Sequence, residues 1–143
     1  MIRMLALIAL TIAAIPSTAS QISVDCNAGQ SLNHTLSTLD KHTPVTVSVN
    51  GTCTEYVQIV GFEGLTLKGL PGAALHQPAG GAGNLFNSLL LIESSRSVTV
   101  DGFSVQADTV TAPAIGIGHS SSDVSASKRV VARCSRSLSL ARE

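Results

Sequence analysis

The sequence predicts an all-β protein, a solenoid of parallel β-strand coils opened by a short capping helix. Three observations carry that expectation. Residues 57–69 (VQIVGFEGLTLKG) and 90–102 (LLIESSRSVTVDG) echo each other at an offset of 33, which is 90 minus 57. Val57 and Ile59 match Leu90 and Ile92, Leu65 and Leu67 match Val98 and Val100, and Gly69 matches Gly102. Repeats of about 20 to 35 residues mark architectures in which each unit buries its apolar face on its neighbours. Aromatic residues are only 3% of the chain, with no Trp, which suits thin stacked layers of Val, Ile and Leu. A stripe of Leu32, Leu36 and Leu39 precedes the first alternating strand and is placed to close the end of the stack.

The elements follow in order. Residues 1–20 read as a secretory signal peptide: Arg3 supplies a positive start, Met4 to Ile15 is almost wholly apolar, and Pro16 with Ser17-Thr18-Ala19-Ser20 offers small residues for cleavage. A bilayer-spanning helix needs about 20 apolar residues, so this run is too short to span. The remaining chain, 143 minus 20 residues, has the length of one domain. Residues 21–44 form the capping segment. Leucine spacings of four and three put the stripe on one helical face, Ser31 is a candidate N-cap, Lys41 and His42 suit the helix C-terminus, and Pro44 ends the run.

Residues 45–126 carry the coils. Val45, Val47 and Val49 alternate with Thr46 and Ser48, the pattern of a half-buried strand, and Asn50-Gly51 turns the chain. Strands are expected at Val57 to Ile59, Leu65 to Leu67, Leu89 to Ile92 and Val98 to Val100, continuing through Phe103 and Val105. Glycine-rich turns lie at 61–64 and 69–72, with polar insertions at 77–84 and 108–113. Ile115 and Ile117 begin a third copy at an offset of 25 from Leu90 and Ile92, and Val124 and Ala126 continue it with one residue inserted. Residues 127–143 then read as a non-repeat basic tail, with five of the nine Lys and Arg residues between 128 and 142. The early break leads to the expectation of an incomplete stack, with the tail arising from premature termination or a shifted frame.

Cys26 and Cys53 flank the first structured segment and are expected to pair; the alternative is two free buried thiols. Export to an oxidising compartment permits the bond. Cys134 is left over, and without a CxxC spacing no zinc or redox site is expected.

Residues 25–106 resemble the N-terminal part of secreted right-handed parallel β-helix proteins of the pectin-lyase-like superfamily. The carrying segments are VDCNAGQSL, VTVSVNGTCTEYVQI, FEGLTLKGLPGAAL and SRSVTVDGFSV. The resemblance implies a helix that caps the coil stack and a right-handed coil. It covers lyases, hydrolases, esterases, epimerases and adhesins alike, so it leaves the activity open.

The chemistry-bearing residues do not complete any pattern of that superfamily. The acids are Asp25, Asp40, Glu55, Glu63, Glu93, Asp101, Asp108, Asp123 and Glu143. The Asn-Thr-Asp, Asp-Asp and Gly-His-Gly segments of polygalacturonase-like enzymes do not occur, and Gly118-His119-Ser120 departs from the last at its final residue. For the calcium group of pectate lyases, Glu93 and Asp101 lie eight residues apart and Glu63 aligns with Arg96 rather than with an acid. Arg96 reads as a turn residue, as does Asp101-Gly102. GGAG at 80–83 lacks the rest of a phosphate loop, and Ser-rich 120–127 lacks a nucleophile elbow. Asn33-His34-Thr35 and Asn50-Gly51-Thr52 are glycosylation sequons. The formal net charge is zero, and the basic tail has no interleaved aromatics, so no nucleic-acid partner is expected.

The expected product is a secreted or periplasmic β-helix scaffold, non-catalytic or truncated, associated with polysaccharide and prone to self-association through an open strand edge. No cofactor and no metal are expected. Two other readings stand beside it: a carbohydrate-active lyase or glycoside hydrolase, and a surface glycan-binding or adhesion module.

Overall fold

A computed structural model of the chain describes residues 19–79, 88–107, 114–118, 121–126 and 131–134. The strands are β1 (Ser20–Asp25), β2 (Val45–Asn50), β3 (Thr52–Thr54), β4 (Val57–Val60), β5 (Leu65–Gly69), β6 (Ala74–His76), β7 (Leu90–Glu93), β8 (Arg96–Asp101), β9 (Ser104–Ala107), β10 (Ile115–Ile117), β11 (Ser122–Ala126) and β12 (Val131–Cys134). A 3-10 turn (Cys26–Ala28) and the helix α1 (Leu32–Thr38) separate β1 from β2.

The strands form three sheets, ordered β1-β2-β5-β8-β11, β12-β9-β6-β3 and β10-β7-β4. Every ladder is parallel. From β2 onward the chain visits the first, second and third sheets in rotation, an arrangement compatible with a β-helix-like fold. The sequence echo is the ladder register itself: Val57 faces Leu90, Ile59 faces Ile92 and Leu67 faces Val100. The third copy also falls in place, with Ile115 opposite Leu90 and Val124 opposite Val98.

Alternation along each strand sends one face inward, because side chains have a period of two. In β2, Val45, Val47 and Val49 are buried, while Thr46 and Ser48 face partly outward. Leu65 and Leu67, then Val98 and Val100, stack on them in successive coils. Val57, Ile59, Leu90 and Ile92 fill the third sheet's side, and Cys53, Leu75 and Val105 the second's. Phe62 and Phe103 occupy corners of the same core. The outermost coil is less covered among the described residues: Ile117 is 60% exposed.

Glycine at matched positions has a steric cause. A Cβ on Gly69 or on Gly102 would lie 2.5 Å from the carbonyl oxygen of the other, so the two corners touch only because both lack a side chain. Other corners use left-handed residues in register: Gly64, Ser97 and Asp123 all have positive φ, at offsets of 33 and 26.

The corners differ in length. Between the first and second sheets the connections are residue 51, residues 70–73 and residues 102–103. Between the second and third they are residues 55–56, 77–89 and 108–114. The long connections therefore recur at one corner.

The structure adds to the sequence reading at several points. β1 spans the boundary between the expected signal, residues 1–20, and the capping segment, residues 21–44, and it pairs with β2 from Ser20↔Val45 to Asp25↔Asn50. β3 and β6, too short to show alternation, build the second sheet. β12 lies within the segment set apart as non-repeat tail, yet it pairs with β9. The helix packs against β4. It ends at Thr38, so Lys41 and His42 lie beyond its last turn. Residues 1–18, the GGAG stretch, Asp108, His119, Ser120 and Glu143 fall outside the described residues.

Candidate functional site

The densest group of polar and sulfur chemistry sits where the N-terminal layer meets the first coil. Cys26 and Cys53 form a disulfide, with Cα atoms 5.1 Å apart, joining the 3-10 turn to β3. Asp25 starts that turn, its Oδ1 accepting from the N–H groups of Asn27 and Ala28. Glu55, two residues past Cys53, caps α1. Its carboxylate accepts from Leu32 N at 2.7 Å, Ser31 Oγ at 2.7 Å and Asn33 N at 3.3 Å. Ser31 Oγ in turn accepts from His34 N, the expected N-cap contact. Carboxylates favour helix starts because unpaired N–H groups and the helix dipole meet there.

The same layer closes strand edges with side chains. Asn27 Oδ1 accepts from Thr52 N of β3, and Asn33 Oδ1 accepts from Gln58 N of β4. Each supplies a carbonyl where the next strand of the sheet would have placed its own. Sequence reading missed these roles because Asn27 and Asn33 look like turn and helix residues. Only the pairing register shows which edges they meet.

Cys26, Cys53 and Glu55 have sulfur and oxygen atoms within 4.8 Å of one another, the spacing of metal ligands. The two sulfurs are bonded to each other and the carboxylate is engaged by α1. Metal coordination needs thiolates, so this trio does not fit a metal in its oxidised form.

A second group stacks at the corner between the third and first sheets. Glu63 pairs with Arg96 across adjacent coils, and His42 Nδ1 lies 3.6 Å from Glu63 Oε1. The alignment of Glu63 with Arg96 seen in the sequence is thus an ion pair, and Arg96 opens β8 rather than sitting in a turn. The Arg96 hydrogen bond holds the Glu63 carboxyl below the usual glutamate range. Asp40 is likewise lowered, chiefly by the Thr43 hydroxyl and then by His42 N–H. Behind the pair, buried Ser95 takes the N–H of Phe62 on its hydroxyl and donates to Glu93 O. Ser121 repeats the motif one coil on, accepting from Ser95 N and donating to Ile92 O. These serines are corner fasteners.

The remaining acids do not converge. Glu93 ends β7 in the third sheet and Asp101 ends β8 in the first, and among the described residues they join no ligand group. Asp101 stands opposite Lys68 in register, and Gly102 turns the chain after it with φ of 77°. Clefts of about 170, 180 and 190 Å³ line the surface, below the ~300 Å³ at which small-molecule sites begin.

The broadest regular surface is the outer face of the first sheet. Gln21, Thr46, Thr66, Thr99 and Ser125 face one another in successive strands, with Ser23, Ser48, Lys68 and Asp101 in a second row. Thr99 and Ser125 hydroxyls are 3.2 Å apart. Among the described residues no helix is long and apolar enough to cross a membrane, which with the disulfide is compatible with an extracellular protein. Compared with known proteins, the chain matches no family model, no curated protein and no solved structure.

Proposed function

We propose that this chain is a secreted right-handed parallel β-helix scaffold of the pectin-lyase-like type that holds polysaccharide on the outer face of its first sheet without cleaving it. The carrying observation is the row Gln21, Thr46, Thr66, Thr99 and Ser125. Strand spacing sets these groups about 4.8 Å apart, so an extended chain of sugar hydroxyls meets a repeating line of hydrogen-bonding partners. The non-catalytic part rests on where four of the nine acids are spent. Asp25 and Glu55 cap helical turns, Asp40 holds its own loop, and Glu63 is paired with Arg96. Glycoside hydrolysis needs two carboxyl groups facing each other within about 10 Å across a sugar, free to exchange protons.

Affinity electrophoresis of the purified chain in gels containing neutral or acidic glycans tests the reading. Retardation is expected, and Thr66→Val with Thr99→Val should abolish it. Equal mobility in every glycan sinks the binding role. Release of reducing ends or unsaturated sugars from an acidic glycan, with or without calcium, would replace it with an enzymatic one.

A further inference from the structure

We propose that Glu55 shields the Cys26–Cys53 disulfide electrostatically, making the N-terminal layer resistant to anionic thiols while leaving it open to cationic ones. A Glu55 carboxylate oxygen lies within 4.8 Å of both sulfurs. Three donors from the start of α1 hold that carboxylate in place, so it does not swing away when a reductant approaches.

Cys26 is partly exposed, whereas Cys53 is buried at 2% exposure. Cys26 Sγ is therefore the sulfur an external thiolate reaches. The attacking sulfur forms a bond to Cys26 Sγ, the Cys26–Cys53 bond breaks, and its electron pair leaves on Cys53 Sγ as a thiolate. A second thiol then displaces Cys26 and carries away the mixed disulfide as an oxidised reductant pair. Glu55 opposes both halves of the first step. It repels an incoming anion, and it disfavours negative charge on Cys53. The first effect depends on the charge of the reductant and the second does not, which makes them separable.

The consequence of reduction would be local. The bond ties the turn after β1 to β3, and Glu55 begins two residues later on the same connection. Opening it releases the covalent link between the capping layer and the first coil.

The test measures second-order reduction rates of the oxidised full chain by glutathione, which is anionic, and by cysteamine, which is cationic, with alkylation and mass readout. A unit charge at this distance in a water-like dielectric corresponds to about a fourfold change in rate. The attacking glutathione and cysteamine thiolates differ by two charges, so Glu55→Gln should raise the glutathione-to-cysteamine rate ratio by up to about 16-fold. Asn33→Ala, which removes the side-chain contact to Gln58 N in the same layer and no side-chain donor to Glu55, should leave the ratio unchanged. The wild-type chain gives an independent measure should Glu55→Gln fail to fold: high salt should speed glutathione relative to cysteamine. A ratio unmoved by Glu55→Gln, an equal shift in Asn33→Ala, or a wild-type ratio insensitive to salt would overturn the proposal.

Discussion

Removing the disulfide should produce the largest loss of stability available from a single bond in this chain. The perturbation is Cys26→Ser with Cys53→Ala, which leaves no unpaired thiol at the buried position. The bond joins residues separated by 27 positions. In the chain-entropy treatment, closing a loop of that length restricts the unfolded chain by about 3.5 kcal/mol. With a urea dependence of about 2 kcal/mol per molar for a domain of this size, the midpoint should fall by about 1.8 M. Urea titration followed by far-ultraviolet circular dichroism reads this directly, with wild type in reductant as a second route to the same state. A midpoint shift below about 0.5 M at unchanged slope would refute the reasoning. It would mean that the N-terminal layer is already held in the unfolded ensemble, or that its attachment adds nothing to the coils.

Other outcomes follow from single residues. Glu55→Ala removes the two carboxylate oxygens that accept three hydrogen bonds at the start of α1 and should cost about 1–2 kcal/mol in the same titration, with Ser31→Ala nearer 1. Gly69→Ala should cost about 2 kcal/mol or more because its Cβ meets a carbonyl at 2.5 Å, whereas Gly29→Ala meets nothing within 4 Å and should lose only the left-handed penalty of about 1–2 kcal/mol. Ser97→Gly should raise the melting temperature slightly, since Ser97 holds φ of 53° where the preceding coil uses Gly64. Glu63 has a lowered folded-state pKa, so its contribution is present above about pH 4.5 and is lost as pH falls through the folded value. Glu63→Gln should therefore lower the melting temperature slightly at neutral pH, leave it unchanged below the folded-state value, and so flatten the fall on the acid side, as read by melting temperature against pH.

How much was legible in the sequence depended on whether a residue's role was periodic or relational. Val45, Val57, Leu65, Leu90 and Val98 announce themselves by alternation, and their offsets became ladder registers unchanged. Ser31 was readable as a cap because helix starts have local chemistry. β3 and β6 were not readable, since three residues such as Thr52–Thr54 carry too little alternation to distinguish a strand from a turn. β1 was hidden by its position beside the apolar run of residues 4–15. Glu55 was invisible for a different reason. Its partners lie more than 20 positions earlier, and no local pattern connects a carboxylate after β3 to the N–H groups of α1. The Glu63–Arg96 contact shows the middle case: alignment brought the two together, but only the stacking of coils makes that alignment a distance.

The unequal corners bear on how this chain can be altered. Residues 55–56, 77–89 and 108–114 join the same two sheets in successive coils, yet β4, β7 and β10 remain in register. Length at that corner is therefore uncoupled from the ladders on either side. Since the entropy of closing a loop grows only with the logarithm of its length, a peptide tag grafted there should leave the coils intact. The same graft at Gly69 or Gly102, where two backbones meet without side chains, would force the coils apart. One corner is thus an adaptable port for new sequence, and the opposite one is a fixed seam.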